Sequence, residues 1–356
     1  MMMSEELLKR FCSNRNIKCS TLKSYRSAIA KYEFFHDMAI ESLMDEAIVE
    51  EDEGISLKSR KIKSRLLDFR SFLLDSGLAI STVRTYFSRI KTFYRHFEIE
   101  LPYLNDIKFD GEYLSSYYDL PTRGDIRNVC SISSNAFRAL VLFISSSGCA
   151  KAETLSLTVG DFVKASDEYH DGGSIDDVLN CLIGRRDIVP AFYLKRIKTN
   201  KFYYAFCSPE ASHHIVKYLI SRKGLSLDDR LFDFTDSSLI YSFKKVNDKL
   251  DMGFVGHYRF FRSHALRKFH ASNIGLGADI VDELQGRGKT RVREAYMKTN
   301  PRRLKEIYMG AMHNVMVFDD WIGECEKEDD CVIIENQVIN IIINFTLDGM
   351  EYKVEK

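Results

Sequence analysis

The residues best suited to chemistry are a histidine and an arginine three positions apart, His264 and Arg267, within S-H-A-L-R-K-F-H. Residues three apart share one face of a helix. An imidazole beside a guanidinium suits the binding of a phosphate oxygen, because both groups donate hydrogen bonds. Arg287 follows in L-Q-G-R, Tyr296 comes nine residues later, and Lys198 stands earlier in K-T-N-K. Together these groups could carry out phosphoryl transfer without a metal ion.

Each group has a defined task in such a reaction. A tyrosine hydroxyl has an ordinary pKa of about 10, so it needs assistance to act as a nucleophile. Fixed arginines stabilise the negative charge on the phosphorus oxygens, and a lysine can protonate the leaving oxygen. Each motif alone is weak: H-x-x-R is more often a surface pair, and Tyr296 is one of 18 tyrosines.

In order and spacing, these motifs resemble those of the tyrosine recombinase (phage integrase) family. The family pattern is G-x-R-x-x-E, a hairpin lysine, H-x-x-R, L-G-H or L-G-W, and then the nucleophilic tyrosine. This chain has Gly148 and Glu153, then K-T-N-K, H-A-L-R, L-Q-G-R and Tyr296, so the resemblance covers nearly all of it. The stretches C-S-P-E-A-S and A-Y-M-K-T-N-P-R-R-L-K are most similar to archaeal or archaeal-virus integrases.

The resemblance implies a role for each matching residue. Tyr296 would form a 3′-phosphotyrosyl bond, and Arg267 would hold the scissile phosphate. His264 would donate a hydrogen bond to that phosphate. Lys198, or its neighbour Lys201, would protonate the 5′-hydroxyl that leaves.

The chain departs from the family pattern at two positions. Ala150 stands where the first arginine belongs, three residues before Glu153, the acidic residue expected to support that arginine. Lys151 is adjacent, but one helical step rotates it by roughly 100°, so it would act as a point charge without a bidentate fork. The alternatives are an arginine from elsewhere or a weakened site. Arg287 replaces the histidine or tryptophan of the third motif, a mild change because a guanidinium also donates.

The charge distribution is compatible with DNA binding. The chain has 51 basic and 51 acidic residues, but from Asp319 onward 11 acidic residues face 3 basic ones. The preceding part is therefore moderately basic. The eight cysteines are scattered and indicate reduced thiols in a cytoplasmic protein. No apolar run is long enough to cross a membrane.

Hydrophobic periodicity divides the chain into a helical first part and a mixed second part. This pattern predicts a mainly α fold with a small β-sheet. The resemblance implies that the first part is an N-terminal helical core-binding (SAM-like) domain and the second an α+β tyrosine recombinase catalytic domain. The predicted bounds are residues 1–103 for the DNA-binding domain, 104–122 for a linker, 123–310 for the catalytic domain and 311–356 for an acidic tail with a β-hairpin. Residues 188–206 read as a hairpin.

Basic residues on the N-terminal helices are candidate DNA contacts. Arg84, Lys91 and Arg95 are spaced by seven and four residues, so they share one helical face, and Lys61 belongs to a second basic cluster. A solvated face without function is the more common explanation of such runs. The acidic segment 45–54 is predicted as a loop or a frayed helix end.

The sequence thus predicts a site-specific DNA recombinase, an integrase that inserts or excises viral or mobile DNA. The resemblance implies that its partners are double-stranded DNA attachment sites, bound as a homotetramer with two domains closing on the duplex. We expect no cofactor, metal or membrane. A DNA-binding relative that cuts poorly is the alternative that Ala150 raises. A type IB topoisomerase and a helical scaffold without a DNA role are the remaining readings.

Overall fold

The computed structural model describes residues 3–105, 107, 116–287, 300–321, 342–346 and 349–353. Tyr296 and most of the acidic tail therefore lie outside the described residues. The chain divides into two units, residues 1–113 and 114–356. The division falls within residues 104–122, where the linker is predicted.

The first unit is helical, because each segment carries an apolar stripe at helical spacing. Its helices are α1 (Met3–Asn14), α2 (Cys19–His36), α3 (Ile40–Asp52), α4 (Lys61–Asp75) and α5 (Ile80–His96). Tyr32 is fully buried, and its ring makes edge contacts with the rings of Phe69 and Tyr94. The stripes of α2, α4 and α5 thus meet in one core.

One local prediction in this unit is wrong. Of segment 45–54, predicted as a loop or a frayed helix end, residues 45–52 are the greater part of the continuous helix α3. Leu43, Met44 and Ala47 bury one side of this helix, and the many acidic residues occupy mostly its other sides. Glu50 is 8% exposed, and its Oε2 accepts a hydrogen bond from the backbone N–H of Lys61 at 2.8 Å. An acidic residue therefore supports the start of α4, whose first N–H groups have no partner within their own helix.

The second unit contains ten further helices among its described residues. They are α6 (Arg123–Ile132), α7 (Asn135–Ser147), α8 (Lys151–Ser156), α9 (Val159–Ala165), α10 (Ile175–Ile183), α11 (Pro209–Ile220), α12 (Asp236–Lys249), α13 (Ser263–Asn273), α14 (Ala278–Leu284) and α15 (Pro301–Ala311). Most begin at a hydroxyl side chain that accepts a backbone N–H of the first turn, which fixes the starting residue. These caps are Thr122, Ser134, Thr158, Ser174, Ser208 and Thr235.

Helix α7 is the central element of the second unit. Residues 139–147 are all buried, the pattern of a helix surrounded on every side. It packs against α11 and α13, and Tyr308 of α15 donates to its Ser146 carbonyl at 2.9 Å. The helix that carries Arg267 is therefore fixed directly to the core of this unit.

The described strands form short antiparallel pairs. β1 (Ala191–Lys195) pairs with β2 (Phe202–Phe206), with Lys195 opposite Phe202. β3 (Phe254–Val255) pairs with β4 (Tyr258–Arg259), and β5 (Ile342–Thr346) pairs with β6 (Gly349–Lys353). The predicted fold class, mainly α with small β-sheets, is confirmed.

Within the described residues, no helix has the length and the apolar character needed to span a membrane.

Candidate functional site

Arg267 lies at the centre of the candidate site, on the buried side of α13. The helix is fixed against the core by the apolar residues around it, Ala265, Leu266 and Phe269. Arg267 is 5% exposed; its Nη1 donates to the carbonyl of Gly148 at 2.5 Å and its Nη2 to the carbonyl of Gln285 at 2.8 Å. Burial, reinforced by the nearby charge of Arg196, lowers the pKa of Arg267 to about 10. The guanidinium stays charged at neutral pH and has further N–H donors for an anion.

The two carbonyls that accept hydrogen bonds from Arg267 belong to Gly148, at the end of α7, and Gln285, at the end of α14. Gly148 ends α7 with a φ of 64°, and a Cβ there would lie 2.6 Å from Gln285 Nε2 and from His270 Nδ1. Glycine is therefore required for both conformation and space. Gln285 Nε2 donates to the carbonyl of Arg267 at 3.1 Å and lies 2.9 Å from His270 Nδ1. Burial lowers the pKa of His270 to about 3, so its imidazole is neutral at neutral pH. The contacts among Gly148, Gln285 and His270 therefore add no charge beside Arg267.

His264 lies one turn before Arg267 on α13 and is exposed. Partial burial, followed by the positive charges of Arg262, Lys268 and Arg267, lowers the pKa of His264. The imidazole is therefore neutral at neutral pH. A neutral imidazole can accept a proton at one nitrogen and donate a hydrogen bond from the other.

Arg287 stands just after α14 and is exposed. Its Nη1 lies 3.3 Å from Oδ1 of Asp282, in a surface ion pair. Such pairs contribute little to the stability of the fold. The charge of Arg287 helps to lower the pKa of both Arg267 and His264, so the three groups act on one another electrostatically. Tyr296 follows in residues 288–299, outside the described part of the chain.

The hairpin of β1 and β2 carries the lysine candidates and a further arginine. Arg196 closes its turn: its N–H donates to the carbonyl of Lys201 at 2.7 Å, and its carbonyl accepts from Asn200 at 2.7 Å. Lys198 is exposed in the turn itself. Arg196 Nη1 donates to the carbonyl of Gln285 at 2.5 Å, the same oxygen that Arg267 binds. The hairpin thus delivers a second guanidinium to the Arg267 position.

Helix α8 holds the residues of the first family motif. Ala150 precedes it as the N-cap residue and offers no side-chain donor. Lys151 Nζ lies 2.5 Å from Oδ1 of Asp236, at the start of α12. Glu153 is 3% exposed, and its Oε1 accepts from the N–H of Ile197 in the hairpin turn at 3.1 Å. Glu153 Oε2 is buried with no hydrogen-bond partner among the described residues.

The basic candidates of the first unit lie on its surface. Arg84 and Arg95 are exposed on α5, and the Lys91 ammonium lies 4.9 Å from the centre of the Phe87 ring. Arg84 donates to the carbonyl of residue 107 at 3.3 Å. Lys61 begins α4, and its Nζ lies 3.0 Å from Oε1 of Glu46. An exposed ion pair of this kind contributes little to stability.

The structure therefore gathers Arg267, His264, Arg287 and Arg196 around the ends of α13, α14 and the hairpin. Within the described residues Lys151 pairs instead with α12. Sequence reasoning missed Arg196, although strand alternation could have indicated it. Successive side chains of a strand point to opposite faces, and Phe192 and Leu194, both buried, place position 196 on the inner side.

Comparison with known proteins gives a fold but no sequence relative. No protein-family model matches the sequence, and no curated protein matches it either. A crystal structure of the XerH site-specific recombinase, bound to difH substrate in a pre-cleavage complex, matches with a TM-score of 0.51 at 16% identity, over 85% of this chain and 83% of XerH. The Tn1549 transposon integrase, in complex with transposon right end DNA, matches with a TM-score of 0.48 at 13% identity, over 92% and 99%. The chain thus has the fold of the tyrosine recombinases, as its motifs predict.

Proposed function

We propose that this protein is a site-specific DNA recombinase that cuts and rejoins DNA through a phosphotyrosyl bond to Tyr296. The observation that carries the proposal is the convergence of Arg267 and Arg196 on one carbonyl oxygen, with Arg287 and His264 nearby. Fixed guanidiniums, of which that of Arg267 is 5% exposed, suit the transition state of phosphoryl transfer, where charge develops on the non-bridging oxygens. The likeness of the fold to XerH supports DNA as the substrate.

The proposed reaction exchanges one phosphate ester for another. The Tyr296 oxygen bonds to phosphorus, the bond from phosphorus to the 5′-oxygen breaks, and the DNA 3′-phosphate stays on the tyrosine. The leaving oxygen needs a proton, for which Lys198 in the hairpin turn is the candidate donor and Lys201 its rival. The phenol proton needs a base, and His264 suits this role because its lowered pKa keeps the imidazole neutral. A hydroxyl of a partner strand then reverses the exchange.

Both units would contact the DNA. The exposed cations of α5, together with Lys61, would contact backbone phosphates, which gives affinity that falls steeply with salt. On the family resemblance, we expect four protomers on two attachment sites, and the integration or excision of viral or mobile DNA as the biological outcome. Glu153 would act as a positioning residue through the hairpin turn.

The decisive experiment traps the covalent intermediate. A duplex is first selected from a randomised pool by binding to the full chain, and a nicked version of it serves as a suicide substrate, from which the small leaving fragment diffuses away. We expect an adduct that resists denaturing detergent, and its loss in Tyr296→Phe with DNA affinity unchanged. Tyr118→Phe is the matched control, because Tyr118 is 91% exposed, and this variant should form the adduct normally.

Each other outcome would support one of the alternative functions. Salt-sensitive, sequence-selective binding without any adduct would indicate the DNA-binding relative that cuts poorly. An adduct on every supercoiled plasmid, without a selected site, would indicate a topoisomerase. An affinity for DNA that stays the same between low and high salt would count against any role on DNA.

A further inference from the structure

This chain lacks the cation that the family pattern places at position 150 of the proposed site. Ala150, at the N-cap of α8, carries a methyl group in place of a guanidinium. Lys151, the adjacent candidate, has its ammonium 2.5 Å from the Asp236 carboxylate. A phosphate held by Arg267 alone would lack one of the donors that stabilise its negative charge.

We propose that Arg196 fills this position and binds the scissile phosphate together with Arg267. This inference rests on the proposed function. Nη1 of Arg196 and Nη2 of Arg267 both donate to the carbonyl oxygen of Gln285, at 2.5 Å and 2.8 Å. The two nitrogens are therefore no further apart than the sum of these two bonds. A phosphate offers two non-bridging oxygens as acceptors for two such neighbouring groups, and a guanidinium presents its donors in a planar fork that matches phosphate.

The close approach of two guanidiniums indicates an anionic ligand. Like charges repel, and the repulsion grows where water is excluded. Its effect is visible on Arg267, where Arg196 is the largest contribution after burial to the lowered pKa of about 10. In the described part of the chain, the hydrogen bonds from both guanidiniums go to main-chain carbonyls, which carry no full negative charge. A phosphodiester between them would offset the repulsion.

The backbone around Arg196 is fixed well enough for this task. Its N–H and its carbonyl both take part in the hydrogen bonds that close the hairpin turn. The next residue, Ile197, donates its N–H to the buried carboxylate of Glu153 at 3.1 Å. In the family pattern this glutamate supports an arginine on its own helix. Here Glu153 supports the turn that carries Arg196, so the same carboxylate positions an arginine supplied by another element.

The test compares Arg196→Ala and Arg196→Lys with Arg222→Ala. Arg222 is a matched control, because it too donates to a backbone carbonyl, that of Arg230, at 2.7 Å. We expect Arg196→Ala to slow adduct formation on the selected nicked duplex by about 100- to 1,000-fold, with DNA affinity little changed. Arg196→Lys should retain part of the rate, since it keeps the charge without the fork. Arg222→Ala should cleave at the rate of the unmodified protein.

A second substrate separates a catalytic role from a structural one. A methylphosphonate at the cleavage position removes the negative charge that Arg196 would stabilise. The penalty of Arg196→Ala should therefore be much smaller on this neutral substrate. Equal penalties on both substrates, or full-rate cleavage by Arg196→Ala, would overturn the inference while an adduct at Tyr296 leaves the recombinase proposal standing. If the unmodified chain forms no adduct at all, both proposals fail together.

Discussion

Glu210 makes the pH dependence of stability a sharp test of how the second unit is held together. It lies on α11, is 1% exposed, and accepts hydrogen bonds from the backbone N–H groups of Val317 at 3.0 Å and Phe318 at 2.7 Å. It thereby anchors the segment that follows α15 and leads into the acidic tail. Burial raises the pKa of Glu210 from 4.5 to about 7, against the opposing effects of these hydrogen bonds and of Arg123 and Arg127.

The sign and size of the effect follow from this pKa. The folded chain binds the proton more tightly than the unfolded chain, so the contribution to stability is fully present below pH 4.5 and is lost as the pH rises through 7. Since one pKa unit corresponds to about 1.4 kcal/mol, the ionised form of Glu210 is disfavoured by about 3 kcal/mol in the folded state. Glu210→Gln cannot ionise. The free energy of unfolding of the unmodified protein, minus that of Glu210→Gln, should therefore fall by about 3 kcal/mol between pH 4.5 and pH 8.

The measurement is a series of urea unfolding curves followed by tryptophan fluorescence. Trp321 is the single tryptophan of the chain and lies three residues after Phe318 with 8% exposure, so it reports on this segment. At the acid end of the series the protonated carboxyl and the amide have nearly the same shape, which provides the internal control. A difference that stays flat or rises with pH would mean that hydrogen bonds and the two arginines outweigh burial, and the reasoning would be refuted.

Three further predictions concern Gly148, the C-terminal tail and Arg95 on the proposed DNA-binding surface. Gly148→Ala should lower the free energy of unfolding by at least about 2 kcal/mol, because the backbone strain of a positive φ combines with a clash of the new Cβ against Gln285 and His270. Gly224→Ala is the control in the same urea assay. Gly224 has a φ of +66° and nothing within 4 Å of the added Cβ, so this variant measures the backbone strain alone. An isolated hairpin such as that of β5 and β6 is only marginally stable, so we expect it to pair with a second subunit. Deletion of residues 322–356, which keeps Trp321, should therefore reduce assembly on DNA, and an unchanged particle mass on DNA would exclude a role for the tail. Arg95→Ala should reduce the slope of log affinity against log salt by about 0.9 for every DNA sequence; a loss confined to one sequence would instead indicate a base contact.

Elements with a strong apolar period could be predicted from the sequence. The stripe of Ile62, Leu66, Phe69 and Leu73 is at most 3% exposed, and it lies on a helix because no other backbone geometry puts these positions on one side. The hairpin of residues 188–206 was predictable for a related reason, since its residues alternate between the two faces of a strand pair. Local pattern was sufficient where burial alone decided the structure.

The local sequence pattern was not sufficient where a contact with a distant residue determines the structure. Segment 45–54 is acidic enough to suggest a loop, but the Glu50 carboxylate binds the N–H of Lys61, and this contact is invisible before the helices are placed. Arg196 is a similar case. It is one of the four cations in K-R-I-K-T-N-K. Strand alternation could indicate that its side chain faces inward, but its role depends on the carbonyl of Gln285, 89 residues further along the chain. Spacing cannot reveal such a partner.

The choice of partner for each cation explains how the site could remain positively charged. At its rim, Lys151 and Arg287 face the carboxylates of Asp236 and Asp282. The inner pair, Arg267 and Arg196, is held by carbonyls at the ends of α7 and α14. The last carbonyls of a helix lack partners within it and carry the negative end of its dipole. Such carbonyls orient a guanidinium and partly offset its desolvation, yet they cancel less of its charge than a carboxylate would. In the proposed reaction, this arrangement would hold the two arginines in place and leave more of their charge for the phosphate than carboxylate partners would.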